Sequence, residues 1–221
     1  MSGVGILGGS FNPVHLAHLR AAEEVREAET LDEVRFVPAA FPPHKEAATL
    51  VTAAHRRRMV ELAIEGIPGF VLSTAELDRP GPSYSVDTLR VLRTELGEAT
   101  RIVFIIGRDA FAEFESWKEH AAIFELCDVV VMTRPPAPIT LTPNDIPLAA
   151  RDAFWYDSSS GAFRHRSGHV LKLQRITALD ISAASIRARV AAGRSIRFLV
   201  PSAVERYIAA HGLYRQGDAS R

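Results

Sequence analysis

Short apolar runs alternate along the chain with stretches in which apolar residues recur every third or fourth position. Val4-Gly5-Ile6-Leu7 reads as a buried strand, and Leu19, Ala22 and Val25 after it fall at helical spacing. Residues 34–37 read as a second strand that stops at Pro38 and passes into a loop through Lys45. Thr52 opens a helix with Met59, Leu62 and Ala63 on its inner face, and Phe70-Val71-Leu72 is a short strand. A Pro- and Gly-rich loop covers residues 78–82. Residues 87–96 form a helix with Leu89, Leu92 and Leu96 inside, capped by Ser85 or Asp87. The strongest strand pattern covers residues 101–106 and stops at Gly107. A helical region then runs through Glu125, followed by a strand over residues 128–132.

The second half is less regular. Residues 134–147 hold five prolines and read as a loop. Residues 154–169 carry two turn-like clusters, 157–161 and 167–168, and are expected to form a hairpin. Residues 170–173 read as a further strand, 182–192 as a helix and 201–211 as another. Strands alternating with helices argue an α/β domain around a parallel sheet. In such a sheet the ligand loops gather at the carboxyl ends of the strands, at the switch point. The first turn, the loop after Val37, the turn after Ile106 and the turn before Ser182 are expected to meet there.

Length and charge narrow the function. The chain has 221 residues, 47% of them hydrophobic, which suits a single domain spanning 1–221. Lys and Arg number 26 and Asp and Glu also 26, so no global field favours nucleic acid or membrane, and an anion site must be local. The single cysteine, Cys127, sits in an apolar run; it excludes an internal disulfide and a cysteine metal cluster, and reads as a small buried hydrophobe. No apolar run approaches the ~20 residues of a membrane span, and the N-terminus lacks the order of a signal peptide. The expectation is a cytoplasmic protein.

Chemistry concentrates in residues 8–18, Gly-Gly-Ser-Phe-Asn-Pro-Val-His-Leu-Ala-His, between the first strand and the first helix. Gly8 and Gly9 let a ligand approach the backbone with no Cβ in the way. A helix start offers unpaired amides and a positive dipole end, a seat for phosphate. His15 and His18, three apart, would place two imidazole donors beside it. The turn lacks the dinucleotide-binding glycine pattern and the lysine of a P-loop.

This stretch resembles the nucleotidylyltransferase signature Gly-Gly-Ser/Thr-Phe-Asp-Pro-x-His-x-Gly-His, with Asn12 in place of Asp and Ala17 in place of the third Gly. Later segments narrow the resemblance to the bacterial nicotinate-nucleotide adenylyltransferases. It implies a Rossmann-like doubly wound parallel sheet of the nucleotidylyltransferase type, with a small C-terminal helical part over about residues 182–215. It also implies that Gly8, Gly9, Ser10 and Phe11 bind substrate while His15 and His18 serve catalysis.

Pro42-Pro43-His44-Lys45 resembles the family's Pro-Pro-His-Lys, where the lysine meets substrate phosphates; Lys45 is thereby implied as a catalytic point charge and His44 as a contact. Residues 82–89, with Tyr84 and Ser85, resemble the segment whose backbone helps hold the nicotinate carboxylate. Ile106-Gly107-Arg108-Asp109, with Trp117 beyond it, resembles Ile-Gly-x-Asp…Trp, in which Asp contacts ribose and Trp stacks on the pyridine ring. Ser182, Ile186 and Arg187 match Ile-Ser-Ser-Thr-x-Ile-Arg; Ala183 and Ala184 depart from it, Ser185 is a substitute hydroxyl, and Arg187 is expected to reach the triphosphate.

The reaction implied joins nicotinate mononucleotide to the α-phosphorus of ATP, releasing deamido-NAD and pyrophosphate. Magnesium would ride on the ATP phosphates, since no carboxylate pair makes an obvious metal site. Preference for nicotinamide mononucleotide, a pantetheine-phosphate transferase and a non-catalytic nucleotide-binding regulator are the alternatives. The basic turn His55-Arg56-Arg57-Arg58 reads as a solvated face. His165 and His169 lack partners at a metal-binding spacing.

Overall fold

The computed structural model describes residues 3–42, 50–134 and 140–215. In chain order the elements are β1 (Gly3–Gly9), α1 (Leu16–Ala28), β2 (Glu33–Pro38), α2 (Ala53–Ile64), β3 (Phe70–Leu72), α3 (Ser85–Leu96) and β4 (Arg101–Gly107). Then come α4 (Arg108–Ala112), α5 (His120–Leu126), β5 (Asp128–Thr133), β6 (Phe154–Asp157), β7 (Ala162–His165), β8 (Val170–Arg175), α6 (Ala183–Ala191) and α7 (Ser202–Ala210). They form one eight-stranded sheet in the order β3-β2-β1-β4-β5-β8-β7-β6. Strands β1 to β5 and β8 run parallel; β7 pairs antiparallel with β6 and β8. The expected hairpin is therefore present, and it widens the sheet. Asp157 turns it by accepting from the Ser159 amide at 3.0 Å and the Ser160 hydroxyl at 2.9 Å.

The sheet is doubly wound because its strands are apolar on both faces. In β4, Ile102, Phe104 and Ile106 join one core while Val103 and Ile105 join the other; in β5, Val129 and Val131 are set against Val130 in the same way. Helices α1, α2, α6 and α7 cover one face through Val25, Met59, Ile186 and Val204. Helices α3 to α5 cover the other through Leu89, Leu92, Phe111 and Phe124. Burial of each such side chain contributes about 2 kcal/mol. Leu62 and Leu96, expected inside, are only partly buried against these cores. Cys127 is fully buried, and burial pushes its thiol pKa up, so it packs as expected.

The helical region after Gly107 is broken into α4, a single 3-10 turn (Phe114–Ser116) and α5. Glu119 makes the break, adopting φ 47° before α5 begins. Among the described residues no helix is long and apolar enough to cross a membrane.

Buried charge pins the amino ends of the strands. Glu29, at the end of α1, is 1% exposed at its side chain and pairs with Arg101 of β4 and Lys172 of β8. Arg101 also meets Asp128 of β5 at 2.8 Å, and Asp128 accepts from His169 at 3.3 Å and from the Val170 amide at 2.9 Å. His165 instead shares a 2.8 Å hydrogen bond with Ser167. The opposite, carboxyl end of the sheet is left for ligand loops. There the chain reverses its direction of travel across the sheet, between β1 and β4.

Candidate active site

A cavity of about 430 Å³, within the size range of small-molecule sites, opens at that switch point. Residues 7–10 and His18 line one side and residues 104–107 another; Glu76, Tyr84, Ser85, Trp117 and Lys118 complete it.

The first turn is built around side chains that hold backbone. A Cβ on Gly8 would meet nothing within 4 Å, whereas one on Gly9 would come 3.3 Å from the ring of Phe11. Gly8 thus leaves open room at the cavity, and Gly9 makes space for Phe11. Phe11 is buried at φ 45°, with its ring edge-on to His18 at 5.2 Å. Asn12 is the hub. Its Oδ1 accepts from the Val51 amide at 3.3 Å and from the Tyr214 hydroxyl at 2.9 Å, and its carbonyl accepts from Arg187 at 2.8 Å. Burial raises the Tyr214 pKa, which keeps the hydroxyl a donor. Asn12 therefore does turn-forming work without a charge.

His15 is the N-cap of α1 rather than a helical residue, so the pair does not share a helix face. The two rings nevertheless stack, 3.6 Å between centroids. His18 Nδ1 accepts from the His15 amide at 3.2 Å, so a neutral His18 carries its proton on Nε2. Burial, with Arg134 adding repulsion, pushes the His15 pKa down to about 4. The first amide of α1, on Leu16, donates to Leu199 at 3.0 Å. The phosphate seat expected at the helix start is to that extent already occupied by the protein's own carbonyl.

The facing wall carries the sequence-predicted acceptor residues. Tyr84 is the N-cap of α3 and Ser85 its first residue; neither Ser85 nor Asp87 caps the helix. Asp87 instead pairs with Lys118 at 2.9 Å, and that ammonium lies 5.0 Å from the centre of the Tyr84 ring. An ion pair across to the next element competes successfully with a local cap for this carboxylate. Trp117 is half-buried, packed 5.1 Å from Phe114 and 6.3 Å from Phe104, and lines the cavity. Gly107 is the N-cap of α4 and lines the cavity, whereas Asp109 is exposed in the first turn of α4 and is not among the lining residues.

Ser182 and Ser185 cap α6 reciprocally. The Ser182 hydroxyl accepts from the Ser185 amide at 3.1 Å, and the Ser185 hydroxyl donates to the Ser182 carbonyl at 2.8 Å. Both are exposed and outside the cavity lining, and among the described residues α6 is linked to the first turn by the bond from Arg187 to the Asn12 carbonyl. His44 and Lys45 lie outside the described residues.

Two residues at this end escaped the sequence reading. Arg56 is 1% exposed, not on a solvated face; Arg57 and Arg58 beside it are exposed as expected. The signal was there: Arg56, Met59, Val60 and Ala63 fall at i, i+3, i+4 and i+7, the buried stripe of α2. Glu76 is also buried; it accepts from Thr88 at 2.8 Å and bonds the Ser83 hydroxyl, and burial raises its pKa. A carboxylate in a polar loop carries no comparable pattern.

Comparison with known proteins places the chain in a family. Residues 6–189 match the cytidylyltransferase-like family. The chain is 48% identical over 217 residues to the "Probable nicotinate-nucleotide adenylyltransferase" of Syntrophotalea carbinolica, covering 98% of this chain and 99% of that one. It is 46% identical over 211 residues to the protein of the same name from Geobacter sp. strain M21, covering 96% and 97%. In fold it is similar to Plasmodium falciparum nicotinic acid mononucleotide adenylyltransferase complexed with NaAD, with TM-score 0.72 at 17% identity over 97% of this chain and 98% of that one. The turn at residues 8–18, the switch-point cavity and these near-full-length likenesses lead to one conclusion: the chain belongs to the cytidylyltransferase-like family and, within it, to the nicotinate-nucleotide adenylyltransferases.

Proposed function

We infer that this chain transfers the adenylyl group of ATP to nicotinate mononucleotide, producing deamido-NAD and pyrophosphate in NAD biosynthesis. The observation that carries the reading is that the first turn and the Trp117–Tyr84 wall line one cavity. That cavity can hold a phosphate group at one end and a flat ring at the other. The acceptor phosphate is an anion at neutral pH and attacks the α-phosphorus in line, so neither a general base nor a covalent enzyme intermediate is required. The protein supplies position and donors.

In this reading the Nε2–H of His18 donates to the α-phosphate as charge redistributes, and His15 fixes the ring of His18. Arg187 and Lys45 act on the phosphates as fixed positive charges, His44 contacts substrate, and residues 8–11 leave the phosphates room. The backbone at Tyr84 and Ser85, at the start of α3, holds the pyridine carboxylate, and Trp117 stacks on its ring. Gly107 and Asp109 serve the ribose, and Ser182 and Ser185 shape the triphosphate loop. Magnesium enters on the ATP phosphates as part of the substrate. The cavity lining presents the His18 imidazole, backbone amides, the Lys118 ammonium and the carboxylate of Glu76, which already accepts from Thr88; in this reading that set meets phosphate oxygens while the cation stays on ATP.

The test is turnover. With ATP, magnesium and nicotinate mononucleotide the protein is expected to release pyrophosphate and form deamido-NAD. The kcat/KM for the nicotinate acceptor should exceed that for the nicotinamide one by more than about tenfold, because donors arranged for a carboxylate are left unpaired by an amide. Absence of pyrophosphate would leave a nucleotide-binding regulator, and equal acceptor efficiencies would remove the carboxylate assignment.

A further inference from the structure

A fully buried guanidinium is costly, and a native chain retains one only where its donors are satisfied. Arg56 hydrogen-bonds no carboxylate among the described residues. It spends its donors on backbone carbonyls: Nε on Val51 at 3.1 Å, Nη1 on Ser10 at 3.0 Å and on Ala39, and Nη2 on Ala40 at 3.1 Å. Ser10 belongs to the phosphate turn, while Ala39 and Ala40 follow β2. These strands lie side by side, Gly9 opposite Pro38, but the ladder of β1 and β2 ends there. Beyond that point the fork of Arg56 continues the link.

The same short peptide is gripped from its other side. The Ser83 hydroxyl accepts from the Ala40 amide at 3.0 Å and the Phe41 amide at 3.2 Å, and the Ser83 amide donates to the Phe41 carbonyl at 3.0 Å. Arg56 thus takes the carbonyls of Ala39 and Ala40, Ser83 takes the amides of Ala40 and Phe41 and the Phe41 carbonyl, and Ser83 borders the acceptor wall. Ser10, Ala39 and Ser83 all line the cavity, whereas Arg56 does not.

We propose that Arg56 is a positioning residue for adenylyl transfer: through the peptide of residues 39–41 it fixes the phosphate turn against the acceptor wall, setting the distance over which the two substrates meet. The inference rests on the functional reading above. In-line transfer is sensitive to such placement, since an ångström of misplacement costs on the order of a hundredfold in rate. A lysine in the same place keeps the charge but has one point donor group in place of a planar fork, so it cannot span Val51, Ser10, Ala39 and Ala40 together.

The experiment compares wild type with Arg56→Lys at a temperature well below either melting point. Turnover is measured with saturating ATP, magnesium and nicotinate mononucleotide, alongside hydrogen exchange at the Ala40 and Phe41 amides. The expected result is a kcat at least tenfold lower, KM values within about threefold of wild type, and faster exchange at residues 40 and 41, with β4 exchange unchanged. A kcat within twofold of wild type, with a lowered melting point alone, would make Arg56 a purely structural residue and overturn the proposal. If Arg56→Lys does not fold, Ser83→Ala tests the other half of the grip: unchanged kcat together with unchanged exchange at residues 40 and 41 overturns it equally. Hydrogen exchange reads the clamp without turnover, so a wild-type protein that released no pyrophosphate would fail the functional reading while the clamp itself was still measured.

Discussion

The imidazole rings of His15 and His18 lie face to face, 25° from parallel, with the amide of one residue bonded to the ring of the other. Two stacked imidazoles at this separation disfavour a second proton, and burial already denies one to His15. In the proposed reaction His15 is the support and the Nε2 side of His18 is the donor.

His18→Ala removes that donor and little packing. A preorganised donor to a developing oxyanion is worth about 3 kcal/mol, so kcat should fall roughly a hundredfold or more. The melting temperature should hardly move and KM for ATP should change less than kcat. Steady-state kinetics and a melting curve on one preparation check this, and near wild-type kcat in a normally melting variant would remove His18 from the reaction.

His15 gives a dependence of stability on pH. In the unfolded chain its imidazole takes a proton near pH 6.5, while in the folded protein it does not until about pH 4. The unfolded state therefore binds more protons between these values, and stability is lost as the pH falls through that window, by up to about 3 kcal/mol. His165, also held down by burial, acts in the same direction. His15→Asn places a good N-cap residue there without a titrating imidazole and should shrink the difference between urea unfolding at pH 7 and at pH 5. An undiminished difference would contradict the assignment.

Trp117→Ala should weaken the acceptor more than ATP, because the ring lines the cavity on the Tyr84 side. Stacking contributes on the order of 1 kcal/mol beyond buried area, so a drop of fivefold or more in acceptor affinity is expected by calorimetry. Equal loss for both ligands would point to collapse of the Phe104–Phe114 packing instead.

Glu29→Gln should separate stability from activity. It leaves Arg101 and Lys172 short of their buried partner, but both are about one-third exposed and can be hydrated. The cost is expected to be about 2 kcal/mol, below that of a wholly buried pair. Turnover below the melting point should match wild type, since the network lies at the amino ends of the strands. A fall in kcat without a fall in melting temperature would contradict this placement.

The sheet was legible because strands buried on both faces are continuous apolar runs, and residues 102–106 and 129–131 are unmistakable as such. The His15–His18 turn was legible because a Gly-Gly pair and two histidines three apart fall together between the first strand pattern and the first helix pattern. What the sequence concealed is which carbonyls lack a partner once the strands end. Arg56 looks like its two exposed neighbours until it is placed on the stripe of Met59 and Val60. Asp87 looks like a cap until Lys118, from another element, is brought alongside it. Asp109 sits beside the best strand in sequence, and the structure leaves it exposed in the first turn of α4, at a place the apolar pattern does not mark.

The hydrogen bond from Tyr214 to Asn12 joins residues 202 positions apart. During synthesis the guanidinium and the hydroxyl that complete Asn12 are made long after the turn itself. A growing chain holding only the glycines and histidines would lack Arg187 and Tyr214, and with them the contacts that set the turn. The turn therefore reaches its final hydrogen bonding only when the distant segment that carries Arg187 and Tyr214 has been made and packed against it.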